Sequence, residues 1–373
     1  MTTVQATWAT MGVLAVLGSA MADEPLPTRE QLIAWGTETL AQIQRELRVP
    51  ATGLYSDEAH LDGRRSGPAF TWGCGVMLPA LNAAAKLDPA VKPELESYAK
   101  ALEVYWNTTG PTPGFDVLPC PKPVDRYYDD NAWLVLAYAE AFEVTGNAAW
   151  LERAKLTLNY VLSGYDDRLG GGLYWREMPR DSKNTRTNAP AVVCCYRLAR
   201  LTGDAQLKAR GDAILDWTLA HLRDPEDGLM WDNIKLDGKV DKAKFSYNTA
   251  LTLRALADPS RDAASLEQAV VTARRAVAKW RDAETGAFRD DACFAHLLAE
   301  ALLYLDERTG RDEFRPAVLQ ALGFLHARNR DANGHYASHW NTVATKPYEG
   351  WKLIAEASAV RGYLLAALAL ALR

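Results

Sequence analysis

The chain of 373 residues has five cysteines, Cys74, Cys120, Cys194, Cys195 and Cys293. An odd count without paired short spacings excludes a disulfide framework, and a cysteine inside an apolar helical run behaves as a small core residue. There is no excess of basic charge, since 42 Lys and Arg stand against 47 Asp and Glu. That balance, with the cations scattered, argues against a nucleic-acid partner. No low-complexity tract breaks a composition that is 48% hydrophobic and 24% charged, so the chain is globular. No run of β-branched residues demands a sheet. The apolar run at 9–22 is too short to span a bilayer and ends in Ala20-Met21-Ala22 before Asp23. Although residues 1–8 lack Lys and Arg, it has the form of a secretory signal. The expectation is residues 1–22 as a signal peptide, cleavage after Ala22, export to the periplasm or medium, and a single domain over 23–373.

What is present is a repeat. Thr145-Gly146-Asn147 and Thr202-Gly203-Asp204 stand 57 residues apart, and Thr309-Gly310-Arg311 follows later. Fixed-period self-similarity of this length marks a helix-pair repeat. Helical patterning predicts twelve helices, near 28–47, 72–86, 91–106, 130–145, 148–162, 188–202, 204–222, 246–257, 262–280, 291–309, 311–328 and 348–372. Pro79 inside the second predicts a kink. The runs from Asp130, Asn188, Asp291 and Tyr348 are apolar nearly all round, whereas those after them carry charge on one face. A helix apolar on all sides is buried and an amphipathic one covers it. Six such pairs give an all-α (α/α)6 toroid, with an inner ring of helices inside an outer ring.

This topology sorts the connections. Short Thr-Gly turns lie at one end. Six long segments, near 48–71, 107–129, 163–187, 223–245, 281–290 and 329–347, gather at the other, where the inner helices begin. Long ordered loops usually carry function.

Tyr127-Tyr128-Asp129-Asp130-Asn131-Ala132-Trp133 sits at such a beginning. Asp is a favoured helix N-cap, so the pair can simply satisfy free amides. Two carboxylates at a cavity floor can also serve as nucleophile and acid/base of a retaining glycosidase, for which a separation near 5 Å is suited. The helix terminus favours their ionised forms, and mutual repulsion should raise the pKa of one. Flat aromatic faces beside polar tips would suit a sugar. They are offered by Tyr128 and Trp133 beside the pair, by Trp175 after a glycine run, and by Trp231 with Asp232. Tyr247 with Asn248, Trp340 and Trp351 add to them, and Asn188 opens another inner helix. Asp290-Asp291 is a second acidic pair at a helix start. His335 and His339 are four apart, but Gly334 argues against the helix a metal site would need, so no metal is expected.

The residues resemble glycoside hydrolase family 76, the α-1,6-mannanases. The resemblance rests on Tyr-Asp-Asp-Asn-Ala-Trp at 128–133, Thr-Gly-Asn and Trp-Leu-Glu-Arg-Ala within 145–154, and Gly-Gly-Leu-Tyr-Trp at 171–175. It continues with Lys183-Asn184 before Asn188-Ala189, Asp232-Asn233-Ile234 and Tyr247-Asn248. The chain departs from the family where Thr249-Ala250 replaces Gln-Gly, and where 291–296 reads Asp-Ala-Cys-Phe-Ala-His instead of a segment with a basic residue and Gly. The resemblance implies an (α/α)6 fold, retention, no cofactor, a mannan or mannose-containing oligosaccharide as substrate, Asp129 as nucleophile and Asp130 as acid/base. A monomer without a membrane span is expected. Alternatives on the same toroid are a transglycosylase, a sugar epimerase or unsaturated-uronide hydrolase, and a non-catalytic glycan-binding protein.

Overall fold

A computed structural model describes residues 25–119 and 126–371. The expected signal segment at 1–22 and Cys120 lie outside the described residues. The twelve helices are α1 (Arg29–Glu46), α2 (Thr71–Leu87), α3 (Lys92–Ala101), α4 (Tyr128–Thr145), α5 (Ala148–Leu162) and α6 (Thr185–Thr202), then α7 (Ala205–Leu222), α8 (Ser246–Leu256), α9 (Ala263–Trp280), α10 (Ala292–Thr309), α11 (Arg315–Phe324) and α12 (Leu353–Ala371). The even-numbered helices pack in sequence, α2 on α4, α4 on α6, α6 on α8, α8 on α10 and α10 on α12, and α12 returns to α2. The inner ring is therefore closed. Helix α1 completes the outer ring by packing on α12, so the first and last helices form one pair.

Each ring is built by its own sequence logic. Four of the outer helices carry side-chain caps: Thr28 with Gln31 on α1, Asn147 on α5, Asp204 on α7 and Asp262 on α9. Inner helices end instead in left-handed glycines, Gly146, Gly203 and Gly310, which make the short Thr-Gly turns. A positive φ suits glycine because it has no Cβ to clash. Helix α2 runs from Thr71 to Leu87 through Pro79. Gly75 on it meets α4 so closely that a Cβ there would lie 2.8 Å from that of Trp133.

The all-α architecture holds, with small additions. Among the described residues the long connections contain nine short strands of two or three residues, paired as antiparallel ribbons such as Glu58–His60 with Gly350–Lys352. Segments this short carry no periodicity visible in sequence. The last helix also begins later than expected, because Gly350–Lys352 is spent on that ribbon. Helix α12 is long and apolar enough to cross a membrane, but here it is an inner helix enclosed by α1, α2 and α10.

The starts of the inner helices are interlocked. From α2 to α6, the first amide donates to a backbone oxygen in the loop that leads to the next inner helix: Thr71 to Val117, Tyr128 to Trp175 and Thr185 to Asp232. In α8, α10 and α12 the acceptors are Asp290 Oδ2, the Ser338 carbonyl and the Asp57 carbonyl. A second contact recurs four residues after the cap. Asn131 accepts from the Phe115 amide and donates to its carbonyl, and Asn188 does the same with Leu173. Thr249 accepts from the Met230 amide and Glu356 from the Tyr336 amide. Buried backbone groups must find partners, and here each loop finds them on the neighbouring inner helix.

Candidate active site

At the end where the inner helices begin, a cleft of about 420 Å³ opens over Asp129 and Asp130. Neither is the cap of α4. Tyr127 is, with no side-chain cap bond, and the two aspartates occupy the first turn. Their surroundings differ. Asp129 is 7% exposed. Its Oδ1 accepts the Asp130 amide at 3.0 Å, and its Oδ2 accepts the indole N–H of Trp175 at 3.0 Å. The Arg186 guanidinium approaches that same Oδ2 at 3.9 Å. The Asp130 carboxyl accepts no hydrogen bond from the described residues.

Protonation follows from this asymmetry. Burial pushes Asp129 up to about 6, held back by the Arg186 charge and by the hydrogen bonds from Asp130 and Trp175. Burial, reinforced by the charge of Asp129, pushes Asp130 well above the usual carboxylate range against the pull of Arg186. The helix terminus was expected to favour ionisation, but loss of solvent outweighs it. Of the two, Asp130 sits where charge is more strongly disfavoured, so it is the better acid of the pair and Asp129 the better carboxylate. This is the division of labour an acid catalyst beside a nucleophile requires.

The walls are only partly those expected. Trp133, Trp175 and Tyr247 line the cleft. Trp175 also fixes Asp129, and its ring carries Arg186 at 4.3 Å and lies 5.1 Å from that of Tyr127. Tyr247 stacks on Phe294 at 4.2 Å and accepts from Arg186 at 3.5 Å.

The other expected wall residues sit elsewhere, each for a physical reason. Tyr128 is buried against Tyr160 of α5, since the first residue of α4 points toward the outer ring. Asn188 is consumed by the backbone of Leu173, and Asn248 is buried with its amide donating to Asp232. Asp232 is itself occupied by Asn248 and Asn233, behind the cleft. Trp231 faces a separate surface pocket, with its N–H on Asp224. Trp340 is core, parallel to Phe288, and Trp351 is buried with its ring stacked on His335 at 3.6 Å. A position in a loop does not leave these aromatics free for a ligand, because the loops fold back and have cores of their own.

Conversely, Arg186, Tyr127, Phe70, Trp72, Asp57 and Lys352 line the cleft without having been anticipated. All but Asp57 share a signal of position, each within one residue of an inner-helix start. The competing pair resolves as structural: Asp290 accepts the amides of Ser246 and Asp291, and Asp291 pairs with His339 at 3.1 Å. His335 bonds Glu46 instead. Among the described residues no group of three or more His, Cys, Asp and Glu is placed to hold a metal.

Comparison with known proteins converges on one family. The model of glycosyl hydrolase family 76 matches residues 51–258. A family 76 α-mannanase of Bacteroides thetaiotaomicron superposes with a TM-score of 0.84 at 30% identity, over 90% of this chain and 95% of that one. The α-1,6-mannanase of Salegentibacter sp. superposes with a TM-score of 0.78 at 21% identity, over 91% of this chain and 99% of that one. That structure is an inactive variant with two adjacent aspartates replaced by asparagine, in complex with α-1,6-mannotriose. Among curated proteins, the meiotically up-regulated gene 191 protein of Schizosaccharomyces pombe is 26% identical over 207 residues, 50% of this chain and 45% of that protein. The chain thus spans less than half the length of that relative. With a family match over more than half its length, the chain belongs to glycosyl hydrolase family 76.

Proposed function

We propose that the protein is a retaining hydrolase of α-1,6-mannosidic linkages in mannan or mannose-containing oligosaccharides, with Asp129 as nucleophile and Asp130 as acid/base. The observation that carries this reading is the unequal setting of the pair. Asp130, protonated, donates its proton to the departing glycosidic oxygen as the bond to the anomeric carbon breaks. Asp129, ionised and held by Trp175 and the Asp130 amide, attacks that carbon from the opposite face and forms a glycosyl ester. Asp130, now a carboxylate, takes a proton from water as the water attacks the anomeric carbon and the bond from that carbon to the Asp129 oxygen breaks, which releases the sugar and restores both groups. Arg186 holds Asp129 in its ionised form and leaves the proton on Asp130. The two adjacent aspartates replaced in the inactive Salegentibacter enzyme support the assignment. The mature unit is taken as 23–373, exported after cleavage behind Ala22.

The test is incubation with α-1,2-, α-1,3- and α-1,6-linked mannooligosaccharides, for the natural chain and for Asp129→Asn. Hydrolysis is expected only of the α-1,6 series and is expected to vanish in the variant. Turnover by Asp129→Asn at the natural rate would refute the nucleophile, and preference for another linkage would refute the substrate.

A further inference from the structure

Trp175 and Arg186 reach the same oxygen of Asp129 from one stretch of chain, the connection between α5 and the first turn of α6. Within that stretch lies a charged side chain used by neither the cleft nor the helical core. Lys183 is fully buried, which an ammonium tolerates only when its charge is matched and its donors are filled. Four oxygens share its three N–H groups: Asp166 Oδ1 at 2.7 Å, and the carbonyls of Asp166 at 3.0 Å, Arg168 at 2.7 Å and Gly171 at 2.5 Å. The rings of Tyr174 and Trp217 lie 4.9 and 5.8 Å from the same nitrogen, close enough for their faces to attract it.

The backbone is bent to build this cage. Leu169, Gly170, Gly171 and Gly172 all have positive φ, a conformation that is unfavourable at Leu169. The bend brings the Arg168 and Gly171 carbonyls to one point. Carbonyl oxygens gathered there repel one another, so the cage needs its cation. In the chain, the caged lysine stands between the two residues that hold Asp129. On one side it bridges Tyr174, and the carbonyl of its neighbour Ser182 accepts the Trp175 amide at 3.1 Å. On the other, the short strand Ser182–Asn184 runs directly into α6, whose second residue is Arg186.

We infer that Lys183 is a positioning residue for the reaction, an internal ammonium that pins this connection so that Trp175 and Arg186 meet Asp129 together. This rests on the glycosidase reading above and deepens it, since a charge that never touches the sugar sets the nucleophile. The test replaces Lys183 with Ala and returns the missing group from solution as propylammonium. Tetramethylammonium, which has no N–H to donate, is the control at equal ionic strength. Two readouts are taken: turnover of α-1,6-mannotetraose, and the indole N–H resonance of Trp175 in protein carrying isotope-labelled tryptophan, assigned with Trp175→Phe.

Lys183→Ala should lower kcat by about a hundredfold with a much smaller change in KM, and should shift the Trp175 resonance as its bond to Asp129 loosens. The acid limb of the pH profile should move up, because Arg186 and Trp175 both hold Asp129 down. Asp129 faces Asp130 and Arg186, and Arg186 in turn faces Asp232 and Tyr247. Propylammonium should restore about tenfold of the lost kcat and return the resonance toward its natural position. Lys183→Met keeps the stem and fills the space, so it should show the same losses without rescue, and it decides the matter where the alanine variant does not fold. A natural kcat with an unmoved resonance in either variant would overturn the role. So would a loss in Lys183→Ala that propylammonium relieves no better than tetramethylammonium. A natural protein that hydrolyses nothing in the linkage panel would count against the proposed reaction, and the Trp175 resonance would still decide Lys183.

Discussion

Asp130 is a carboxyl kept in a place that disfavours its charge, and this has a consequence for stability as well as for chemistry. Its folded pKa lies above the unfolded value of about 3.9, because burial and Asp129 oppose ionisation. The native state therefore holds this proton more tightly than the unfolded chain does. Stability is greatest below the unfolded value and falls as pH rises toward the folded one. Asp130→Asn removes the ionisable group and should raise stability at pH 7. Urea unfolding at pH 7 and pH 4 should find that gain at pH 7 and little of it at pH 4. Activity should follow a bell-shaped pH profile, with an acid limb near 6 as Asp129 takes up a proton and an alkaline limb as Asp130 loses its own. An acid limb that stays put in Arg186→Met would show that the guanidinium does not hold Asp129 ionised.

The interlocked inner-helix starts belong to the scale of elements. Asn131 and Asn188 stand 57 residues apart and make the same two-way contact with a loop backbone, one loop per repeat. Replacing Asn188 with Ala would strand the buried amide and carbonyl of Leu173. The expected cost is about 1–3 kcal/mol per orphaned group, read as a shift in the denaturation midpoint. Because Leu173 is two residues from Trp175, the wall beside Asp129 should loosen as well, which kcat would report. The period itself was readable, since the Thr-Gly turns are short and recur, and helical patterning located the twelve helices between them. The role of Asn188 was not. As a sequence motif it looked like a sugar ligand, and only the returning loop shows that its hydrogen bonds are already filled. Trp340 and Trp351 misled in the same way. Hydrophobic patterning identifies a buried helix face, but loop aromatics carry no period that tells a loop's own core from an open wall. Phe70 and Arg186 were missed for the opposite reason, as single residues beside helix starts without a motif around them.

At the scale of the whole molecule, the two ends of the toroid are electrically different. One end carries the cleft. At the other, a hollow of about 440 Å³ is lined by paired charges drawn from several inner helices. Arg361 of α12 is its hub: the guanidinium donates to Glu140 of α4 at 3.1 Å, to Glu300 of α10 at 3.3 Å and to the Pro79 carbonyl of α2 at 2.9 Å. Burial alone would raise both glutamates, but the charge of Arg361, aided by Lys86 at Glu140 and by Arg254 at Glu300, holds them below the usual range. Since α12 closes the ring onto α2, this one side chain ties the last helix to three others. Arg361→Met would leave Glu140 and Glu300 buried with fewer partners and should cost about 3–5 kcal/mol, measured by denaturant unfolding. A loss under 1 kcal/mol would mean that ring closure rests on apolar packing alone.

The account stands on the pair at the cleft floor, and the stereochemistry of its first product tests that most directly. Proton NMR during hydrolysis of α-1,6-mannotetraose should show the α-anomer of the new reducing end appearing first, with the β-anomer growing in later by mutarotation. The β-anomer appearing first would mean that water attacks directly, and that Asp129 is not the nucleophile.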